Sequence, residues 1–283
     1  MLNFNSLKFF GVIAALFTAA CGTEPRSAGA QDLSVLFHKP ASAIQNGTPQ
    51  VLTRPNRSFS ADDPARILVI GDSLSEGFAI FLDRRVKERK LAAVVINRGR
   101  NSSGLARSDF YDWPANFASI APAERPDIVI AHFGSNDNQS IIRSGGTVRH
   151  GSEGWDNAYR EQTRKILETA AQNKTMFYLI GPAPDRGTNL NRHLTNVNPI
   201  FKQEAEAHSA RYFPLSPFAA GPSGEYAKVV QVNGVPTTIR SGDGSHFTGT
   251  GYYLVADKLL EDISTVVPSI FNTTKLELAG VLQ

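Results

Sequence analysis

The stretch "ILVIGDSLSEG", Ile67 to Gly77, joins a run of aliphatic residues to an abrupt change into glycine, aspartate and serine. The run is typical of a strand buried on both faces, and the polar residues after Gly71 indicate a turn into a helix. Ser73 therefore falls between a strand and a helix. A serine at such a place usually caps the helix, because its hydroxyl can accept a hydrogen bond from a free amide of the first turn. The alternative is that Ser73 is a nucleophile.

Four similar apolar runs follow along the chain, with helical patterns between them. The runs cover residues 92–97, 127–134, 176–181 and 211–216. The helical patterns cover roughly residues 75–89, 114–120, 156–172, 196–209 and 250–263. This alternation predicts an α/β domain, a three-layer α/β/α sandwich around a five-stranded parallel sheet. Ligands bind such sheets beyond the carboxyl ends of the strands, so the residues after each run are the candidate site residues.

The N-terminal residues have the features of an export signal. Lys8 precedes the apolar run 9–20, and a small-residue cleavage site, "SAGA", ends at Ala30. The run is too short to cross a bilayer, which takes ~20 residues, and no later segment is better suited, so we expect no integral membrane span. The expected organisation is a signal peptide (1–30), an irregular leader (31–64), a folded domain (65–268) and a C-terminal tail (269–283).

The single cysteine, Cys21, lies inside the expected signal peptide. A chain cleaved after Ala30 has no cysteine and forms no disulfide, and we expect a periplasmic or secreted bacterial protein held together by its core alone. The alternative takes "TAAC", residues 18–21, as a lipoprotein signal in which an acylated Cys21 anchors the chain. The formal charge of +3, from 29 basic and 26 acidic residues, lacks the basic excess that nucleic-acid binding requires. We therefore expect no nucleic-acid partner.

Polar blocks follow the first three runs, and another block precedes the last helix. They read "GDSLSEG" (71–77), "NRGRNSSGLARSDFYDWP" (97–114), "GSNDNQ" (134–139) and "SGDGSHFTGTGYY" (241–253). In this order they resemble the blocks of the SGNH, or GDSL-type, hydrolase superfamily, which contribute a serine, a glycine, an asparagine and a histidine. The resemblance covers residues 66 to about 265. It implies a flavodoxin-like SGNH fold and a serine hydrolase that acts on ester bonds without a metal or other cofactor.

Ser73, Asp243 and His246 are the expected catalytic residues. A carboxylate three residues before a histidine can orient that imidazole from the same loop. His246 would take the proton of the Ser73 hydroxyl and later return it to the leaving alcohol. Taken alone, "DGSH" indicates no more than a turn, since aspartate tolerates unusual dihedral angles. We expect Ser73 to cap its helix through its backbone and to attack through its side chain.

The resemblance implies an oxyanion hole built from the Asn136 amide and the backbone amides of Ser73 and one glycine. Gly104 in "SSGL" is our prediction for that glycine, because a missing side chain lets the backbone approach a substrate, and Gly99 is the alternative. The block that contains both is longer than in typical members of the superfamily. Without the resemblance, "SNDN" would indicate a polar turn whose side chains bond to their own backbone.

Substrate contacts are predicted for polar and aromatic residues of the same loops. They are Asp72, Arg100, Arg107, Trp113, Asp137 and Arg240. The alternative for Trp113 is packing of its loop against the core. The arginines of the crevice loops are Arg98, Arg100, Arg107, Arg143, Arg149, Arg186, Arg192 and Arg240. Some of them are hypothesised to bind an anionic glycan or a dicarboxylic acyl group, although solvated loops carry arginine without any ligand.

The stretch 138–155 after the third block is long and glycine-rich, and either covers the site or is an inert insertion. The predicted function is an exported serine esterase whose substrate is a small-molecule or glycan ester, such as an O-acyl group of the cell envelope. The first alternative is an acyltransferase that moves the acyl group to a sugar hydroxyl and uses a membrane-bound acyl donor. The second alternative is a glycan-binding protein without catalysis.

Overall fold

A computed structural model describes residues 47–143 and 145–272. Its strands are β1 (Ala65–Gly71), β2 (Ala93–Asn97), β3 (Ile128–His132), β4 (Ile141–Arg143), β5 (Gly146–Val148), β6 (Met176–Gly181), β7 (Arg211–Pro214), β8 (Val229–Val232) and β9 (Val235–Thr238). Its helices are α1 (Ser73–Glu88), α2 (Trp113–Glu124), α3 (Glu153–Gln172), α4 (Thr188–Ala207), α5 (Ser216–Ala219), α6 (Gly249–Val266) and a 3₁₀ turn (Pro268–Phe271). None of these helices is both long and apolar enough to cross a bilayer. The expected signal peptide, the leader up to residue 46 and the tail from residue 273 lie outside the described residues.

Five of the strands form one parallel sheet, in the order β2-β1-β3-β6-β7. They are the five strands that the apolar runs predict. β1 lies between β2 and β3, so that Val69 pairs with Asn97 on one side and with Ile130 on the other. Helices α1 and α6 pack on one face of the sheet, and α2, α3 and α4 pack on the opposite face. The predicted three-layer α/β/α fold is confirmed.

The side chains of β1 alternate between two hydrophobic cores. Ile67 and Val69 belong to the core under α1 and α6, whereas Leu68 and Ile70 belong to the core on the other face. All four side chains are fully buried. Burying an aliphatic side chain of this size contributes about 1.5–3 kcal/mol. The strand is therefore apolar at consecutive positions, because neither of its faces meets water.

The end of the predicted leader packs against the sheet. The Val51 N–H donates to the carbonyl oxygen of His208 (3.0 Å), and Leu52 forms an isolated parallel bridge with Met176. The side chains of Val51 and Phe59 are buried. The folded body therefore begins before residue 65.

Two antiparallel hairpins, β4–β5 and β8–β9, are additions that the apolar patterns do not predict. Their strands have three or four residues, too few for a period of two to be recognised. Hairpin β4–β5 lies within the stretch 138–155, where Ile141 is fully buried and Ile142 forms a bridge with Arg107. This stretch is thus folded onto the second polar block.

Gly71 ends β1 at a very close approach to β3. Its φ of +125° lies in the region that favours glycine, and a Cβ at this position would lie 1.9 Å from the carbonyl oxygen of His132. The close approach lets the N–H of Asp72 donate to the same oxygen (3.3 Å). Gly71 therefore determines where the chain leaves β1 and enters α1.

Gly71→Ala is expected to lower the free energy of unfolding by about 3 kcal/mol or more, because the backbone oxygen opposite cannot move aside. Urea denaturation measures the change. Gly154→Ala, in the first turn of α3, is the control, since its methyl group would lie 3.6 Å from Cγ1 of Val148. Alanine there is expected to raise stability by up to about 1 kcal/mol. Equal stability of the two variants would contradict the account of Gly71.

Candidate active site

Three polar side chains meet where β1 turns into α1. Ser73 is the first residue of α1, and its Oγ lies 2.9 Å from Nε2 of His246. Nδ1 of His246 lies 2.6 Å from Oδ2 of Asp243, in the loop between β9 and α6. The structure thus brings together the three residues that the sequence predicts as catalytic. If Nδ1 carries the proton and donates it to Asp243, the Nε2 lone pair faces the Ser73 hydroxyl.

The turn that carries the acid and the imidazole is closed by its own hydrogen bonds. The Ser241 N–H donates to the carbonyl oxygen of His246 (2.9 Å), and Gly244 turns the chain at a φ of +85°. Oδ1 of Asp243 accepts hydrogen bonds from the backbone N–H groups of Ser245 (2.9 Å) and His246 (3.0 Å). Asp243 therefore both closes the turn and contacts the imidazole.

The pKa of Asp243 lies well below its ordinary value. Burial acts to raise it, but hydrogen bonds from Ser241, from His246 and from two backbone amides outweigh burial. The carboxylate is therefore ionised at neutral pH, where it can orient an imidazole and stabilise an imidazolium. The side chains of His246 and Asp243 are 43% and 50% exposed. The pair thus faces solvent on an open surface.

The cap of α1 is Asp72. Its Oδ1 accepts hydrogen bonds from the N–H groups of Leu74 (3.0 Å) and Ser75 (3.4 Å), and its backbone is extended, as at an N-cap. The prediction that Ser73 caps the helix is wrong, and the Ser73 hydroxyl is free to face the imidazole. The prediction that Asp72 contacts substrate is also wrong, because Asp72 is completely buried.

A second histidine–aspartate pair lies behind Ser73. Nδ1 of His132, the last residue of β3, lies 3.0 Å from Oδ1 of Asp72, and the imidazole meets the Phe78 ring edge-on. Both residues are buried, and neither Oδ2 of Asp72 nor Nε2 of His132 has a partner among the described residues. His132 thus contacts the Asp72 carboxylate, which caps the start of α1. Sequence reasoning missed His132, whose one signal is a histidine inside an apolar strand.

The second and third blocks meet beside this pair. Nδ2 of Asn136 donates to the carbonyl oxygen of Ser103 (2.9 Å), which uses one of its two hydrogens and leaves the other for a ligand. The Gly99 N–H already donates to Oδ1 of Asn97 (2.9 Å). The Gly104 N–H has no acceptor among the described residues. The geometry therefore favours Gly104 over Gly99 as a donor to a bound oxyanion.

Asp137 lies beneath these loops and is completely buried. Its Oδ1 accepts a hydrogen bond from the Ala106 N–H (2.8 Å), and its Oδ2 accepts from the Gly134 N–H (3.1 Å) and the Tyr159 hydroxyl (2.7 Å). Burial raises the pKa of this carboxyl group, against the effect of its hydrogen bonds. The prediction that Asp137 contacts substrate is wrong, because its side chain is completely buried and is hydrogen-bonded to other residues of the chain. A Cβ on Gly104 would lie 2.1 Å from Oδ1 of Asp137.

Two more predicted substrate contacts are buried. Trp113 is fully inaccessible and donates its indole N–H to Oγ of Ser103 (2.9 Å). It therefore packs its loop against the core, which is the alternative to substrate contact. Arg240 is 2% exposed, donates from Nη2 to the carbonyl oxygen of Pro184 (2.6 Å) and stacks over the Phe247 ring. Burial lowers the pKa of Arg240. Neither side chain reaches a substrate at the surface, and both predictions are wrong.

The two remaining arginines lie nearer the surface. Arg107 donates two hydrogen bonds to Asp109, at 2.8 and 2.7 Å. Arg100 is exposed beside the rings of Phe110 and Tyr111. A substrate role for either residue stays a prediction.

A pair of histidines joins the β4–β5 region to α4. Nε2 of His150 lies 3.3 Å from Nδ1 of the buried His193, and the Trp155 ring contacts both. Burial, and then the charge of His150, lower the pKa of His193 from its ordinary 6.5 to about 4. His193 is therefore neutral at pH 7. Across the described ranges, no three His, Cys, Asp or Glu side chains are arranged to hold a metal ion.

Residues 66–262 match the protein family DUF459, whose description is a protein of unknown function. The chain belongs to the DUF459 family. The match runs from β1 to the last helix and includes all four polar blocks. No curated protein matches the chain.

Solved structures of GDSL-type proteins share the fold. A protein of Desulfitobacterium hafniense assigned to the lipolytic G-D-S-L family has a TM-score of 0.51 and 16% identity, over 69% of this chain and 97% of that one. A GDSL-like lipase of Bacteroides thetaiotaomicron has a TM-score of 0.51 and 17% identity, over 71% of this chain and 88% of that one. A protein of Bacteroides fragilis assigned as an acylhydrolase has a TM-score of 0.52 and 15% identity, over 76% of this chain and 91% of that one. The predicted resemblance to the SGNH, or GDSL-type, hydrolases is confirmed at the level of the fold.

Asp137→Asn is expected to lower the free energy of unfolding by about 2–4 kcal/mol, because its NH₂ group would face a hydrogen-bond donor. Tyr159→Phe removes one donor and leaves the carboxylate with two backbone partners, so about 1 kcal/mol is expected. Urea denaturation of both variants gives the comparison. A larger loss of unfolding free energy in Tyr159→Phe than in Asp137→Asn would refute the view that the Asp137 carboxylate depends mainly on its backbone partners.

The free energy of unfolding is expected to fall as the pH drops from 6.5 to about 4. In this window the unfolded His193 takes up a proton, whereas the folded residue stays neutral, so the stability present above pH 6.5 is lost. His193→Phe keeps an aromatic ring that cannot charge, and its stability should change less across the same window. Urea denaturation at several pH values tests this. Parallel losses in the two proteins would rule out His193 as the cause.

Proposed function

We propose that the chain is a serine esterase that works through a covalent acyl-enzyme. The observation that carries the proposal is the 2.9 Å contact between Oγ of Ser73 and Nε2 of His246, continued by the 2.6 Å contact between Nδ1 and Asp243. A serine hydroxyl is a weak nucleophile, and an adjacent base that is held by a carboxylate activates it. The GDSL-type fold of the chain supports hydrolase chemistry at this place.

In the first half-reaction Oγ of Ser73 attacks the ester carbonyl carbon while its proton passes to Nε2 of His246. The tetrahedral intermediate collapses, the bond to the alcohol oxygen breaks, and His246 returns the proton to that oxygen. A water molecule then gives a proton to Nε2 and attacks the acyl-enzyme. The second tetrahedral intermediate collapses, the bond between the acyl carbon and Oγ of Ser73 breaks, and His246 returns its proton to Oγ, which releases the acid and restores the enzyme. Asp243 stays ionised throughout and stabilises the imidazolium.

The oxyanion of the intermediate would be held by three donors. They are the backbone N–H groups of Ser73 and Gly104 and the second hydrogen of the Asn136 amide. The Asn136 side chain is already fixed by its bond to Ser103, so it loses little freedom when it binds the oxyanion. Loss of one such donor costs about 10²–10³-fold in kcat.

The substrate we propose is an O-acyl group on a glycan or another cell-envelope molecule, met outside the cytoplasm. The exposure of His246 and Asp243 supports this, because an open surface admits an ester on a large molecule as well as a small one. The export signal expected at residues 1–30 supports the compartment.

Ser73→Ala is expected to reduce hydrolysis of p-nitrophenyl acetate and butyrate by at least about 10³-fold and to abolish labelling by a fluorophosphonate probe. Ser75→Ala is the matched control, because its hydroxyl lies two residues further along α1 and donates to the backbone oxygen of Asp72 (2.6 Å). It should retain labelling. The assay is run with and without an added glycan acceptor.

The outcomes separate the proposed function from its alternatives. Hydrolysis that depends on Ser73 and ignores the acceptor supports the esterase. Acylated acceptor with little free acid would show an acyltransferase that uses the same acyl-enzyme. A folded protein that neither turns over esters nor is labelled would contradict catalysis and favour a glycan-binding protein.

A further inference from the structure

The turn that follows β2 places Arg100 beside the nucleophile. The Arg100 N–H donates to the carbonyl oxygen of Gly71 (2.8 Å), two residues before Ser73 in the chain. The Arg100 carbonyl oxygen accepts from Oγ (2.5 Å) and N–H (3.2 Å) of Ser103. The carbonyl oxygen of Ser103 in turn accepts from Asn136. Arg100 is therefore held by its backbone between the end of β1 and the proposed oxyanion donor.

Four other arginines of the crevice loops are paired or buried. Arg98 with Glu124, Arg107 with Asp109, and Arg143 with Glu161 form ion pairs, and Arg240 is buried. Arg100 differs from them, because it is exposed and its guanidinium makes no hydrogen bond or ion pair with any described residue. All five of its N–H donors are open to a ligand.

Two aromatic rings lie next to this guanidinium. Its central carbon is 6.0 Å from the Phe110 ring centroid and 5.9 Å from the Tyr111 ring centroid. Phe110 is 51% exposed, whereas Tyr111 packs on the buried Trp113. The rim of the site thus presents a cation on a fixed backbone beside an accessible apolar ring, a combination that binds an anionic group attached to an apolar or ring-shaped body.

A second cation lies at the opposite side of the candidate triad. Nη2 of Arg186 donates to the carbonyl oxygen of Asp243 (2.8 Å), and its other donors are unused among the described residues. The Glu76 side chain lies next to the Arg100 turn, since its Cγ would contact a Cβ on Gly99, but no ion pair joins it to Arg100 among the described residues. Arginines at the two ends of the candidate triad, with Arg186 on Asp243 and the Arg100 backbone on Gly71, favour a negatively charged substrate.

We propose that Arg100, together with Phe110 and Tyr111, forms a subsite for a carboxylate carried by the ester substrate. The inference rests on the proposed esterase function and names the class of ester. A carboxylate offers two oxygens to the forked N–H donors of arginine, a geometry that a neutral ester cannot match. The carboxylate belongs either to a dicarboxylic acyl group or to an acidic sugar that carries the acyl group on a hydroxyl.

The test compares esters that differ only in whether the carboxylate is free. The first pair is mono-p-nitrophenyl adipate and its methyl ester, which place the carboxylate on the acyl side. The second pair is an O-acetylated methyl glucuronide and the matching methyl glucoside, which place it on the alcohol side. For each pair kcat/KM is measured with the full chain and expressed as the ratio of the charged to the neutral ester.

The wild-type ratio is expected to exceed about tenfold, or about 1.4 kcal/mol, for one of the pairs, because the carboxylate gains charge-assisted hydrogen bonds. Arg100→Gln should reduce that ratio by about tenfold, and added salt should reduce it in the wild type alone. Arg84→Gln is the matched control, because Arg84 is also exposed over an aromatic ring, 4.7 Å from the Phe81 centroid, but near the other end of α1. Its ratio should equal that of the wild type.

The pair that shows the preference identifies the carrier of the carboxylate. Turnover that depends on Ser73 with a ratio near one for both pairs overturns the subsite and leaves the esterase intact. A high ratio that survives in Arg100→Gln also overturns it. Absence of Ser73-dependent turnover on every ester overturns the proposed function and this inference with it.

Discussion

One buried carboxylate holds the candidate site together. Asp137 accepts hydrogen bonds from Ala106 in the second block, from Gly134 in the third block and from Tyr159 in α3. Burial opposes its ionisation, and each donor favours it. The same carboxylate excludes any side chain at Gly104. The relative positions of the two loops thus depend on a residue that no substrate touches.

The strands of the central sheet and the side chains of the candidate site could be predicted because their signals are local. The inner strands β1, β3 and β6 are buried on both faces and therefore largely apolar, as β1 shows with Ile67 to Ile70. The edge strands β2 and β7 are partly exposed. The acid and the base lie three residues apart in one turn, and Ser73 directly follows the first strand. The hairpins β4–β5 and β8–β9 escaped prediction because strands of three or four residues are too short to show a period of two.

The failed predictions concern burial and neighbours. Asp72 and Ser73 are both good caps, and composition cannot say which of two adjacent residues falls at the cap position. Asp137 and Trp113 stand in polar blocks beside exposed residues, and only the packed structure shows that they point inward. The signals of His132 and His193 are weak for the same reason, since a buried histidine in a strand or helix resembles any other polar interruption. A polar residue in a loop can thus be part of the framework of a site without taking part in its chemistry.

The closed turn of Asp243 and His246 has a mechanical consequence. Hydrogen bonds inside the turn, from the Ser241 N–H to the His246 carbonyl oxygen and from two backbone amides to the Asp243 carboxylate, join acid and base into one piece. Thermal displacement of this piece against the sheet moves both residues equally and leaves their mutual geometry intact. Such a displacement then changes one distance in the site, the distance between His246 and Ser73. A small shift of this one loop is enough to break or restore the contact between His246 and Ser73, while the contact between His246 and Asp243 is kept.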